Sequence, residues 1–276
     1  MKLATIRTPA GTRAVRVDPD GATDLGHGDV VDVLRRSGWR TWAAQADGPR
    51  YDVADLDYAP VVVAPEKVVC VGLNYRTHIL EMGRELPTHP TLFAKFGRAL
   101  IGAFDDIVLP ASSEAVDWEA ELGVVVGAEV RNASAEEARA AIAGFTVVND
   151  VTMRDWQYRT PQWLQGKTFE ATTPVGPWLV TDGAGDPVSQ TLTCEIDGDV
   201  VQKADTADLV FDPAALVAYV SSIITLVPGD LIATGTPGGV GHARNPQRYL
   251  QDGDVLLTRV DGVGECRNVC RTDGRS

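Results

Sequence analysis

The stretch Val116-Asp-Trp-Glu-Ala-Glu-Leu-Gly-Val-Val-Val-Gly127 decides how this chain is to be read. Its second half is a short apolar run bounded by glycines, the pattern of a strand buried on both faces. If the strand starts at Val116, its period of two sets Asp117, Glu119 and Glu121 on one face and Trp118, Ala120 and Leu122 on the other. Three carboxylates then crowd one patch, where they repel one another and are costly to desolvate. Two readings stay open from this segment alone: a solvated edge strand, or a site where a cation resolves the conflict.

Asp150 strengthens the second reading, because it closes another apolar run, Phe145-Thr-Val-Val-Asn-Asp150, and a neighbouring strand could deliver it beside the two glutamates. Two Glu and one Asp make an all-oxygen donor set, which selects Mg²⁺, Mn²⁺ or Ca²⁺ over softer metals. A set of three carboxylates leaves positions for water and substrate, which suits Mg²⁺ best. The histidines at 27, 78, 89 and 242 show no paired ligand spacing, so zinc is disfavoured.

Upstream, a strand ends at Gly72, and His78 and Glu81 follow three residues apart. On a helical turn they share a face. They are either a base with its orienting carboxylate or an exposed His–Glu pair on a surface helix.

The rest of the chain supplies short strands: Val68 to Val71, Glu119 to Val126, Phe145 to Val148, Pro177 to Val180, Leu192 to Ile196 and Val255 to Val260, with turn signals such as Asp197-Gly198 and Asp252-Gly253. Helices are few. Ser134 and Glu137 form a capping-box pair, with Gly144 placed as a C-cap, and a second helix covers about Pro213 to Ser221. Strands without regularly interleaved helices predict a β-rich α+β fold, not a doubly wound sheet. A break near residue 60 separates a small N-terminal α/β subdomain, 1–62, from the main domain, 63–276.

Composition excludes several functions. The balance of 25 basic against 38 acidic residues gives a net charge of −13, and the lysines are scattered, so neither nucleic acid nor a membrane surface is an expected partner. The N-terminus has no secretory pattern, and the longest nearly apolar stretch, Leu216 to Val227, is well short of the roughly 20 residues that span a bilayer. Cys70, Cys194, Cys266 and Cys270 lack C-x-x-C spacing and read as reduced thiols of a cytoplasmic protein.

Taken in order, VCVGLNYRTH (69–78), LFAKF (92–96), VDWEAELGVVVG (116–127), FTVVNDVTMRDWQ (145–157), QGKTFE (165–170), PVGPWLVT (174–181) and ATGTPGGVG (233–241) closely resemble the fumarylacetoacetate hydrolase superfamily over roughly residues 65 to 270. The resemblance implies a fold of mixed β-strands with few helices, a homodimer, and one Mg²⁺ or Mn²⁺ per subunit. By motif position it implies Glu119, Glu121 and Asp150 as metal ligands, with Asp117 in a supporting role. It implies His78 and Glu81 as a water-activating dyad on a lid, and Lys167 as the lysine that stabilises an enolate or oxyanion. Arg154, Gln157 and Thr236 match positions that contact the carboxylate and oxo oxygens of a small anionic 2-oxo acid. The activity so implied is metal-dependent hydrolysis of a C–C bond in an acylpyruvate-type 2,4-dioxo acid. The alternatives are an oxaloacetate-type decarboxylase, a 2-hydroxydienoate isomerase or decarboxylase, and, outside enzymes, a metal-stabilised dimer without catalysis. Lys95 is either catalytic or part of a structural ion pair. The glycine-rich Gly235–Gly241 segment is not a P-loop, since no Gly-Lys-Ser/Thr follows.

Overall fold

The apolar text of this chain is cut into runs too short for helices, and strands result. The computed structural model describes residues 1–26, 28–181 and 189–274, so His27 lies outside the described residues. A twelve-stranded sheet runs, edge to edge, through Arg50–Tyr51, Gly21–Asp24, Gly11–Asp18, Lys2–Thr8, Thr173–Val180, Ile142–Asn149, Ala120–Val126, Leu231–Ala233, Val68–Gly72 and Thr91–Lys95. Asp57–Tyr58 joins Lys2–Thr8, and Leu100–Ile101 joins Thr173–Val180. Pairing is mixed: most neighbours are antiparallel, but Leu231–Ala233 runs parallel to Val68–Gly72, and Leu100–Ile101 parallel to Thr173–Val180. A five-stranded sheet, Asp199–Asp205, Thr191–Ile196, Val255–Val260, Gly264–Thr272 and Ile107–Leu109, shares a hydrophobic cluster with the middle of the large one through Leu192, Cys194 and Leu256 against Leu122, Val124 and Val147. This is the β-rich α+β architecture that the strand pattern predicts.

Ala120–Val126 sits at the centre. It is buried along its whole length and paired on both sides, with Ala120 opposite Asn149 and Gly123 opposite Ala233, which excludes the solvated-edge reading. The strand does not reach back to Val116, however. Val116–Asp117 pairs separately with Thr152–Met153, and the strand is interrupted at Trp118 and Glu119, whose backbone donors go to side chains: Trp118 N–H donates to Asp117 Oδ1 at 2.9 Å, and Glu119 N–H to Asn149 Oδ1 at 2.9 Å.

The first segment continues the same sheet, with Lys2 opposite Val180 and Leu3 opposite Leu179. Leu3, Val30 and Val33 share a hydrophobic cluster with Val68, Val148 and Leu179. Among the helices, Ala135–Ala141 carries the expected capping box, and Asp212 caps Pro213–Ile223, whose proline takes the first helical turn. Gly144 is not a C-cap. The helix ends at Ile142 and passes straight into the strand Ile142–Asn149, where a Cβ on Gly144 would lie 2.1 Å from the Val180 carbonyl oxygen, so the glycine serves close strand approach. Among the described residues no helix is long and apolar enough to cross a membrane.

Candidate metal centre and catalytic cavity

Cross-strand register assembles the acidic cluster. Glu119 immediately precedes the central strand, Glu121 is its second residue, and Asp150 follows the strand whose Asn149 faces Ala120. One oxygen from each of Glu119, Glu121 and Asp150 lies within 4.8 Å of the others, and all three residues are buried. Asp117, which an unbroken strand would add to this face, turns elsewhere.

Basic side chains offset two of the three charges. Lys167 Nζ is 2.6 Å from Glu119 Oε2 and 2.8 Å from Asp150 Oδ2, Arg154 Nη2 is 2.7 Å from Glu119 Oε1, and Lys95 Nζ is 2.5 Å from Asp150 Oδ1. Burial works against ionisation of Glu119, but Lys167 and Arg154 hold its carboxyl below its ordinary value. Glu121 lacks such a partner among the described residues. It accepts the Gly235 N–H at 2.8 Å, while burial and then the neighbouring Asp150 and Glu119 push its carboxyl well above the usual range. A hard divalent cation fits this arrangement: it takes carboxylate oxygens, and its charge would offset the one anion that no side chain pairs. Glu119, Glu121 and Asp150 are the residues that would hold it.

Asp117 organises the other side. Its carboxylate accepts Arg154 Nε at 2.7 Å, the Gly241 N–H at 2.6 Å and the His242 N–H at 3.0 Å. Arg154 Nη1 donates to Gln157 Oε1 at 2.9 Å, one turn along the short helix Arg154–Gln157. Lys167 ends the short helix Leu164–Lys167, which packs on the first at Gly166, where a Cβ would come within 2.5 Å of the Met153 carbonyl oxygen and the Gln157 nitrogen.

A cavity of about 320 Å³ opens onto these groups, lined by His78, Glu119, Arg154, Gln157, Lys167 and Thr236. Of the expected site residues, only Glu121, Asp150 and Glu81 are absent from its wall: the first two are buried behind it and Glu81 is exposed. His78 and Glu81 lie on the helix Arg76–Glu81. Both converge on Gly238, where a Cβ would stand 3.0 Å from His78 Nδ1 and 3.7 Å from Glu81 Oε2, although among the described residues no hydrogen bond joins the two side chains. Burial lowers the His78 pKa, with Glu81 opposing, so the ring is neutral near pH 7. The Thr236 hydroxyl donates to the Ala120 carbonyl at 3.0 Å and accepts from Gln202 Nε2 at 2.9 Å. A larger cavity of about 670 Å³ lies beside the start of the helix Pro213–Ile223, but no carboxylate cluster faces it among the described residues.

Of the two readings of Lys95, the ion pair is observed: it is a buried partner of Asp150, at the end of its strand. Sequence reasoning missed two further contributors. Gln202 reaches in from the five-stranded sheet, with Oε1 accepting the Ala120 N–H at 3.0 Å, and His242 stands in the cavity wall. No local signal marks Gln202 or His242. Lys95 carried one, a lone lysine in the otherwise apolar Leu92–Phe96.

The sequence and the fold are shared with known proteins. The model of the fumarylacetoacetate (FAA) hydrolase C-terminal family matches residues 67–271. A mitochondrial oxaloacetate tautomerase of Homo sapiens is 45% identical over 219 residues, covering 78% of this chain and 69% of the relative. Among solved structures, a 5-carboxymethyl-2-hydroxymuconate delta-isomerase from Mycobacterium smegmatis superposes with a TM-score of 0.83 at 34% identity, covering 100% of both chains. A maleylpyruvate hydrolase from Sphingobium sp. SYK-6, in complex with manganese(II) and pyruvate, superposes with a TM-score of 0.82 at 30% identity, covering 99% of each chain.

Proposed function

This chain belongs to the fumarylacetoacetate hydrolase family, and we propose that within it the protein is a divalent-cation-dependent isomerase that interconverts the keto and enol forms of a small 2-oxo dicarboxylic acid of the oxaloacetate type. The observation that carries this reading is the buried Glu119–Glu121–Asp150 cluster opening onto a cation-lined cavity of about 320 Å³. That volume is at the low end of the ~300–1,000 Å³ of ligand sites, which favours a small diacid over an extended acyl chain. The similarity to an oxaloacetate tautomerase and to an isomerase supports the same reaction class.

A cation held by the three carboxylates, Mg²⁺ or Mn²⁺ by the donor set, would supply Lewis acidity to the carbonyl being enolised. The side chains do the rest. Arg154, steadied by Asp117 and Gln157, orients a carboxylate of the substrate with its remaining N–H donors. His78, neutral and with Nδ1 on the Gly238 side, takes the proton from C3 on Nε2 as the C–H electron pair becomes the C2=C3 bond. Lys167 faces the negative charge that this places on the 2-oxo oxygen, and return of the proton from His78 to that oxygen, directly or through water, completes the enol and restores the neutral ring.

Hydrolysis of acylpyruvates is the second reading, favoured by the convergence of His78 and Glu81 on Gly238 and by the similarity to a maleylpyruvate hydrolase. Homodimerisation and a cytoplasmic location belong to the same proposal; the four buried free cysteines fit a reducing compartment.

The test uses metal-stripped protein with Mg²⁺ or Mn²⁺ restored. The ultraviolet absorbance of enol-oxaloacetate is followed beside pyruvate release and the diketone absorbance of acylpyruvates. Faster, metal-dependent keto–enol relaxation without pyruvate is the expected result. Pyruvate released from an acylpyruvate instead would put hydrolysis first, and no turnover of either would overturn both.

A further inference from the structure

His242 stands in the wall of the cavity although no sequence motif marks it. Its backbone N–H and Arg154 Nε both donate to the Asp117 carboxylate, at 3.0 Å and 2.7 Å, so one buried group fixes the histidine relative to the guanidinium. The ring itself is also held. Nδ1 lies 2.8 Å from Tyr249 Oη and 3.3 Å from Gln247 Nε2, and the Tyr158 ring packs beside the imidazole at 5.2 Å between centroids.

These contacts set the tautomer. Gln247 Nε2 donates to the His242 carbonyl oxygen at 3.0 Å, and since that oxygen can only accept, the nitrogen end of the amide faces the ring. An amide NH₂ can only donate, so Nδ1 is an acceptor and the ring proton sits on Nε2. Burial and Arg154 lower the pKa of His242, which keeps the ring neutral near pH 7. Nε2–H is thus a fixed donor with no partner among the described residues. Lys167 and Arg154 direct donors at the carboxylates around the cluster, Lys167 to Glu119 and Asp150 and Arg154 to Asp117 and Glu119, and the Thr236 hydroxyl donates to Ala120, while Gln157 Nε2, beside Arg154, is the other amide donor of the wall without a partner among the described residues. Arg84 also lines the cavity, but it is exposed and no hydrogen bond or ion pair fixes its side chain among the described residues.

We propose that His242 is a specificity-determining residue: its Nε2–H donates to the carboxylate at the end of the substrate remote from the Glu119–Glu121–Asp150 cluster, and so favours dicarboxylic over monocarboxylic 2-oxo acids. The assignment deepens the isomerase reading, because it rests on a substrate with a second carboxylate. A neutral donor recognises that group by direction without placing another positive charge beside Arg154 and Lys167.

Malate and lactate are stable probes that share the 2-hydroxy acid end and differ in the remote carboxylate. Each is titrated calorimetrically into the Mg²⁺-loaded wild-type protein and into His242→Ala and His242→Gln. The expected result is malate binding weakened about tenfold in His242→Ala, equivalent to ~1.4 kcal/mol, with lactate changed less than about twofold, and partial recovery in His242→Gln, which keeps an N–H donor. Equal weakening of both probes would reduce His242 to a structural role, and unchanged malate affinity would remove it from recognition; either overturns the proposal. Oxaloacetate turnover, measured separately, distinguishes the two levels. Selective loss of malate binding in a protein that does not enolise oxaloacetate would sink the reaction while leaving the assignment of His242 intact.

Discussion

Asp117 sends no charge into the cavity, yet Arg154, Gly241 and His242 all converge on its carboxylate. Asp117→Asn keeps the size but offers an NH₂ where acceptors are needed. A buried hydrogen bond to a charged group is worth about 1.5–3 kcal/mol, so the variant should lose roughly 2 kcal/mol in denaturant titration and bind substrate more weakly. An unchanged midpoint and KM would contradict the role given to this residue. For His78 the sign of the pH effect follows from burial, which lowers its pKa. The neutral form that can take a proton persists below the ordinary histidine value of about 6.5. The rate should therefore stay flat through neutral pH and fall only on the acid side of that value; a limb at higher pH would assign the proton to another group. At this scale the sequence was legible where a residue disagreed with its neighbours. Glu119, Glu121 and Asp150 are acids in apolar text, and that anomaly alone suggests a cation. Asp117 was expected only in a supporting role, and its partners, like those of Gln202, were not legible because they lie far along the chain, 124 residues from Asp117 to Gly241 and 82 from Ala120 to Gln202.

Elements convert these anomalies into a site. Most strands were readable from period and turn signals, and the observed Thr191–Ile196 and Val255–Val260 match the expected runs closely. Periodicity failed at Trp118, since the strand breaks where side chains capture backbone donors, which hydrophobic spacing does not encode. It failed again at Gly144, where a glycine near a helix end serves strand packing. The loop after Leu231–Ala233 carries Thr236 and then Gly238, which leaves room for His78 and Glu81. Gly238→Ala should push the imidazole by a few tenths of an ångström and cut His78-dependent turnover roughly tenfold, in line with the steep cost of misplacing catalytic groups. Divalent-cation affinity should be unchanged. A variant with full turnover would show that the position of the helix Arg76–Glu81 does not matter to the reaction.

Across the whole molecule, charge is sorted by depth. The net charge of −13 would repel an anionic substrate, but Lys95, Lys167 and Arg154 are buried around the carboxylate cluster, and at contact distance their field prevails. Residues 1–62 lend strands to the same sheet and side chains to the same hydrophobic cluster as the residues after them. Deleting them would leave the strand Thr173–Val180 without its Lys2–Thr8 neighbour, an open edge prone to association. The shortened chain should aggregate or lose cooperative unfolding, whereas a soluble, cooperatively folding 63–276 fragment would establish the two segments as independent units.

In the proposed function the three carboxylates, gathered at the ends of two adjacent strands, hold the cation on which the chemistry depends. Mn²⁺ titration followed by electron paramagnetic resonance tests it directly, comparing the wild-type protein with Glu119→Gln and Asp150→Asn, each confirmed folded by circular dichroism. One Mn²⁺ bound per wild-type chain, and none in either variant at the same concentration, is the expected result. Equal Mn²⁺ binding by all three proteins would contradict it.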